Sequence, residues 1–192
     1  MNKKSLVYIA VFGTLWGAVE AGLGTALHLL HLPFDGVLLS GIGLIIILIA
    51  RVYNNTKGST FLIALVAAII KLMSFSAIKL GPFIGIIMVG ILIEMVLSLL
   101  GTNKLSFIIS GLVISLYPIT QNIATKSILF GMDIIPLIFE LADNFSENIG
   151  YEAGWWIIGL YFAIHCFIGL SSAFLALIIK NRVHKLLVNA NQ

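Results

Sequence analysis

The sequence predicts an all-α integral membrane protein: a six-helix transmembrane bundle with both termini cytoplasmic and a short amphipathic segment between helices 5 and 6. Three observations predict it. Of the 192 residues, 60% are hydrophobic and 10% charged, and the mean hydropathy of +1.11 lies far above that of soluble domains. Apolar runs close to the ~20 residues that cross a ~30 Å hydrocarbon core recur along the chain, which leaves a single domain over residues 1–192. Basic and acidic side chains also segregate into alternate connections.

The first span runs from Ser5 to Leu30. MNKK before an apolar stretch has the look of a signal peptide, but the run continues past Ala21 and reads instead as a transmembrane helix. The second span covers Phe34 to Tyr53, the third Ser59 to Leu80, the fourth Pro82 to Leu100, the fifth Leu105 to Phe130 and the sixth Tyr151 to Lys180. Pro33 and Pro82 stand at helix starts, where the missing N–H costs nothing, whereas the internal Pro118 predicts a kink. DIIPLIFELADNFSENIG, residues 133 to 150, is too acidic to span. Its Ile134, Leu137, Ile138 and Leu141 recur at helical spacing and predict a short helix on one surface.

Orientation follows from the charges. With the N-terminus inside, the inner segments hold Lys3, Lys4, Arg51, Lys57, Lys104, Lys180, Arg182 and Lys185, eight of the eleven basic residues, and no acid. Asp35, Asp133, Glu140, Asp143, Glu147 and Glu152 fall outside, and Glu20 and Glu94 are left within the membrane. The net charge of +3 is a product of this topology. No basic stripe with interleaved aromatics points to nucleic acid, and the lone Cys166 lies in an apolar run and excludes an intrachain disulfide.

An ionisable group at the bilayer centre costs about 2.5–3.5 kcal/mol, so each needs a partner, a wet cavity or a task. At ~1.5 Å per residue, Glu20 stands ~22 Å above the start of its helix and Lys71 ~18 Å, while Glu94 lies ~18 Å below the outer start of a helix running the other way. Lys71 and Glu94 are therefore expected to form a structural ion pair. Lys79, near a helix end, snorkels to the headgroups. Glu20 has Trp16 one turn before it and Gly24 one turn after it, so an indole, a carboxylate and bare backbone share one face. It is expected to line a cavity, a buried hydrogen-bonded carboxyl being the plainer account.

Beyond Pro118 the fifth span places Gln121, Asn122 and Lys126 in its outer half as a polar wall. Trp155 and Trp156 open the last span, where they suit an interfacial belt, yet one of two neighbouring indoles is able to face inward. His165 lies deeper on the same helix. HLLHLPFD sets His28 and His31 three apart before Asp35, a weak metal pattern because a site needs three or four ligands. No metal and no cofactor is therefore assigned, and the two histidines read as a polar loop end.

The first span carries two ladders of small residues: Gly13, Gly17 and Ala21, and beside it Ala10, Thr14, Ala18, Gly22 and Ala26. Such ladders admit a close helix in lipid, one internally and the other for a membrane partner. GxxxxGK[ST], HExxH and GxSxG are all missing from the sequence, so the chain is not expected to be an enzyme, and energy for any transport comes from elsewhere. The two halves show no inverted repeat of the kind many carriers have.

Six spans in about 190 residues, cytoplasmic termini, a small-residue first helix and polar groups gathered in the outer half resemble the substrate-binding S component of an energy-coupling factor transporter. That family carries AxxxA on its first helix for docking. AVFGT here keeps Ala10 and has Thr14 in the second place, beside GTLWG with Gly13 and Gly17. The resemblance implies a high-affinity receptor for a vitamin, a cofactor precursor or a metal in the cell membrane, working with a transmembrane coupling (T) subunit and two ABC-type ATPases. It also implies a pocket between the first outer connection, residues 28 to 36, and the outer halves of the fourth to sixth spans, among Trp16, Glu20, His28, His31, Gln121, Asn122, Lys126, His165 and Trp155, with the acidic segment as part of its lid. The main alternative is a stand-alone secondary carrier coupled to protons through Glu20 or Glu94; a lipid-modifying enzyme and a purely structural partner are weaker.

Overall fold

The computed structural model describes residues 2–29, 34–74, 80–131, 133–149 and 155–190. Secondary structure among them is helical throughout: α1 (Lys3–Leu29), α2 (Asp35–Tyr53), α3 (Ser59–Met73), α4 (Leu80–Leu100), α5 (Lys104–Phe130), α6 (Ile134–Ile149) and α7 (Trp155–Ala190). Five of these, α1, α2, α4, α5 and α7, are long and apolar enough to cross a bilayer, and α3 is a shorter apolar helix of 15 residues. The chain is thus an all-α, multi-pass membrane protein by the length and composition of its helices.

The packing order differs from the chain order. α1 lies against α3, α3 against α4, α4 against α5, and α5 against α7. α2 closes the ring between α7 and α1 and also reaches α3, α4 and α5, so it is the central helix. Its sequence suits that place. Gly41 and Gly43 thin one side, while Leu44, Ile47 and Leu48 are fully buried among Ile63, Ala67, Ile93 and Ile114 of its neighbours.

Small residues set the closest approach. A Cβ on Gly13 would stand 2.7 Å from Val66 Cβ, and one on Gly17 2.8 Å from Ile70 Cβ. That ladder of α1 is therefore filled by α3, which is the close packing such spacing permits in lipid.

Helix boundaries depart from the sequence expectation in two places. The third helix stops at Met73 instead of Leu80. Ser74 there turns extended (ψ 162°), and its hydroxyl donates to Lys71 O at 2.7 Å, an exit that hydroxyl side chains favour over continued helix. Lys79 lies outside the described residues. The last helix runs to Ala190 rather than Lys180, since NRVHKLLVNA is polar enough to leave the bilayer but has no helix breaker. Lys180 donates to Thr102 O at 2.9 Å and stands 5.2 Å from the Phe107 ring centroid, tying α7 to the α4–α5 connection.

α5 opens with a capping box, Asn103 accepting from Ser106 N at 2.8 Å and donating its own N–H to Ser106 Oγ at 3.1 Å. It continues as helix through Pro118 and closes on Gly131 in the left-handed region (φ 61°). The acidic segment is the helix α6. Leu137 is fully buried and Ile138 half-buried, while Ile135 and Phe139 are exposed, and α6 rests on α5 and α7.

Candidate functional site

A cavity of about 400 Å³ opens in the half of the bundle where α2, α4 and α7 begin and α5 ends. Pockets of a few hundred Å³ with apolar walls and a few convergent polar groups are the usual form of a small-molecule site. Here α1 contributes Trp16 and Glu20, α5 contributes Gln121, Asn122 and Lys126, and α7 contributes His165. Six residues singled out from the sequence thus meet at one place.

The α1 wall is built on glycine. Trp16 is 1% exposed because its indole lies on Gly43 of α2, where a Cβ would come 2.5 Å from the ring. Its Nε1 donates to Glu20 Oε1 at 3.3 Å. Behind Glu20, the fully buried Lys71 of α3 donates to Glu20 O at 2.5 Å. Bare Gly24 leaves room for both groups: a Cβ there would meet Lys71 Nζ at 3.0 Å and Glu20 Oε2 at 3.4 Å. The ammonium thus lies close enough to the carboxylate to attract it. Glu20 is 5% exposed, so this buried charge has an indole on one side and a cation on the other.

On α5, Pro118 lacks an N–H and cannot bond the preceding turn. Gln121 donates through Nε2 to Gly81 O at 3.1 Å, fixing its amide across to α4. Lys126 bridges to Glu140 of α6 at 2.7 Å, both partly exposed, which anchors the acidic helix to the cavity wall. On α7, His165 is 2% exposed, and its Nδ1 lies 2.9 Å from Tyr161 O. Its ring is held between Tyr161 (centroids 4.3 Å) and Phe34 (5.5 Å, edge to face).

Other sequence assignments fall elsewhere. Trp156 is 56% exposed and is not in the cavity lining. The side chains of His28 and Trp155, and all of His31, lie outside the described residues. Among the described residues no three His, Cys, Asp or Glu side chains gather as a metal site.

The lining also includes Phe34 and Asp35, from the connection 28–36 that the resemblance placed beside the pocket, and Ser40, Tyr117, Thr125 and Tyr161, which the sequence reading did not single out. For Tyr117 and Tyr161 a signal existed, one helical turn before Gln121 and His165 respectively. Nothing in their composition separated them from ordinary interfacial aromatics.

The expected ion pair of Lys71 with Glu94 gives way to a different arrangement. Glu94 pairs with Arg51 of α2 at 3.3 Å and accepts from Gly58 N (2.7 Å), Thr60 N (3.1 Å), the Thr60 hydroxyl and the Ser98 hydroxyl. It caps the N-terminus of α3 from another helix, while Lys71 lies eleven residues further along α3 beside Glu20. Equal rise along the two helices does not bring Lys71 to Glu94, because α3 starts level with Glu94 and Lys71 then lies well beyond it. Gly58 precedes that start with φ 84°, a left-handed conformation that a side chain would strain. Arg51 also donates to Ser59 Oγ at 2.9 Å and to Thr56 O.

The docking assignment on α1 divides in two. Gly13 and Gly17 are buried against α3 and offer no surface. The second ladder, Ala10, Thr14, Ala18, Gly22 and Ala26, is exposed along its whole length, and no atom comes within 4 Å of a Cβ placed on Gly22.

No family model, no curated protein and no solved structure matches the chain significantly. The functional reading therefore rests on the cavity and on the residues that line it.

Proposed function

We propose that this chain is a membrane-embedded, high-affinity binding subunit for uptake of a small vitamin-like or cofactor-precursor solute, working with a coupling subunit and ABC-type ATPases as an S component does. In this reading α3 marks a sixth crossing of the cell membrane. Both termini are cytoplasmic, since the basic residues cluster around them and around the α2–α3 and α4–α5 connections. The observation that carries the reading is the convergence of Trp16, Glu20, Gln121, Asn122, Lys126 and His165, from three helices, on one cavity. Polar groups are costly within a membrane and collect where a solute is bound. The exposed ladder from Ala10 to Ala26 adds a surface suited to a partner helix.

The test is purification of the tagged chain from its native membrane. Recovery of a coupling subunit with ATPases, together with a small molecule identified by mass spectrometry, is the expected result. Recovery of the chain alone and empty overturns the reading. A stand-alone proton-coupled carrier has less support, because Glu94 is committed to Arg51 and to the first turn of α3. Uptake by the pure chain in liposomes under a pH gradient would reverse that ranking.

A further inference from the structure

The polar lining of the cavity divides into groups already bonded within the protein and groups left open. Trp16 Nε1 donates to Glu20, Gln121 Nε2 to Gly81 O, and Lys126 Nζ to Glu140. A Cβ on Gly85 would stand 3.1 Å from Gln121 Oε1, so that amide lies against α4. The side chains of Ser40, Tyr117, Asn122 and Thr125 also line the space, and among the described residues none of the four has a hydrogen-bond partner.

These open groups state what they need. The hydroxyls of Ser40, Tyr117 and Thr125 each have one hydrogen to donate, and between apolar walls a donor left unmet is costly. The Asn122 amide sets an N–H beside a carbonyl oxygen, an edge that pairs through two parallel bonds with a ring carrying a donor next to an acceptor. His165 adds an acceptor. The carbonyl oxygen of Tyr161 cannot donate, so Nδ1 holds the proton of their 2.9 Å contact and the neutral ring keeps a lone pair on Nε2. Trp16 of α1, Tyr117 of α5 and Tyr161 of α7 bring aromatic rings to the same cavity from three helices, which favours a flat occupant.

Resting on the receptor reading above, we infer that the solute is a flat heterocycle of cyclic amide or ureide type, read along its edge of ring N–H and C=O by Asn122 and Tyr117. Its carbonyl oxygens take the hydroxyl protons, and its N–H groups meet the oxygen of Asn122 and Nε2 of His165. A polyol has no ring to stack, and a plain aromatic hydrocarbon leaves every one of these groups unmatched in a partly dry site. Asn122 and Tyr117 are thereby specificity-determining residues.

Three flat bicyclic probes test this on the full-length chain purified in detergent. Quinazoline-2,4-dione carries ring N–H groups and carbonyls, its 1,3-dimethyl derivative keeps the carbonyls alone, and quinazoline has neither. Binding is read by isothermal titration calorimetry and checked by ligand-observed NMR. The dione is expected to bind at least about tenfold tighter than the other two, because its N–H groups add hydrogen bonds that they lack. Asn122 is exposed, so the fold does not depend on its amide, and Asn122→Leu should cut dione affinity about tenfold while moving the dimethyl derivative less than about twofold. Tyr117→Phe keeps the ring and should weaken both carbonyl compounds about threefold or more, leaving quinazoline unchanged.

Equal binding of the dione and its dimethyl derivative, quinazoline binding as tight as the dione, a dione indifferent to both variants, or no binding by any probe overturns the inference. A methyl group that merely clashed would leave the dione insensitive to Asn122→Leu, so the variant separates lost bonds from lost room. Each of these outcomes leaves the receptor reading to its own test, the recovery of a coupling subunit and ATPases, so the two fail separately.

Discussion

Glu94 of α4 meets Arg51 of α2 at 3.3 Å and in the same position accepts from the backbone N–H groups of Gly58 and Thr60. One carboxylate therefore neutralises a buried guanidinium and closes the open end of α3. Breaking such a pair by removing one partner leaves an uncompensated charge, at a cost of about 3–5 kcal/mol. Glu94→Gln should accordingly lower the thermal midpoint of the detergent-solubilised protein by several degrees. The double variant with Arg51→Met should recover part of the loss but not all of it, because the first N–H groups of α3 still lack their charged acceptor. A midpoint unchanged in the single variant would mean that the cap is unimportant.

Lys71 is fully buried and its ammonium serves Glu20 alone among the described residues, through the backbone oxygen and the nearby carboxylate. Lys71→Met keeps most of the stem volume and removes the cation beside the carboxylate, so it should destabilise by about 3 kcal/mol or more. Combining it with Glu20→Gln should cost clearly less than the sum of the single changes, with a coupling of about 0.5–3 kcal/mol in a double-mutant cycle of unfolding free energies. Simple additivity would contradict the contact.

The two ladders of α1 should behave oppositely. Gly17→Leu drives a side chain into Ile70 and should cost about 1–3 kcal/mol in stability through overpacking. Ala18→Leu, on the exposed ladder, should leave the melting profile alone and weaken recovery of the coupling subunit in a pull-down. If Ala18→Leu retains full partner recovery, docking uses another face.

Lys126 and Glu140 are partly exposed, with side-chain accessibilities of 26% and 41%, so their bridge is worth at most about 1 kcal/mol. Lys126→Glu should nonetheless loosen α6 from α5, seen as faster amide exchange over Ile134–Ile149, and the charge-swapped pair with Glu140→Lys should slow it again. Exchange equally slow in all three proteins would show that Leu137 and its apolar neighbours hold α6 without the bridge.

The α1 wall makes a spectroscopic prediction. Trp16 is packed on Gly43 and bonded to Glu20, whereas Trp156 is 56% exposed. Gly43→Ala should shift the emission of the Trp16 signal, isolated in a background with Trp155 and Trp156 replaced by Phe, and weaken solute binding. An unaltered spectrum would mean that the indole does not rest on that glycine.

The sequence by itself determined the class of the protein and most of its helices. Hydropathy and helical period depend only on nearest neighbours along the chain and on the uniform demand of a lipid solvent, so α1, α2, α4, α5 and the amphipathic α6 were legible from the order of residues. It also marked Trp16, Glu20, Gln121, Asn122, Lys126 and His165 as polar or aromatic groups needing a reason to be in a membrane. Only the tertiary structure decided who meets whom. Lys71 and Glu94 looked paired because rise per residue fixes depth along one helix, not the offset between helices or their rotation about their axes. Those are set by side-chain interlocking such as Gly17 against Ile70 and Gly43 against Trp16. That interlocking gave Glu94 to Arg51 and Lys71 to Glu20, covered one small-residue ladder while leaving the other bare, and drew Tyr117 and Tyr161 into the cavity wall.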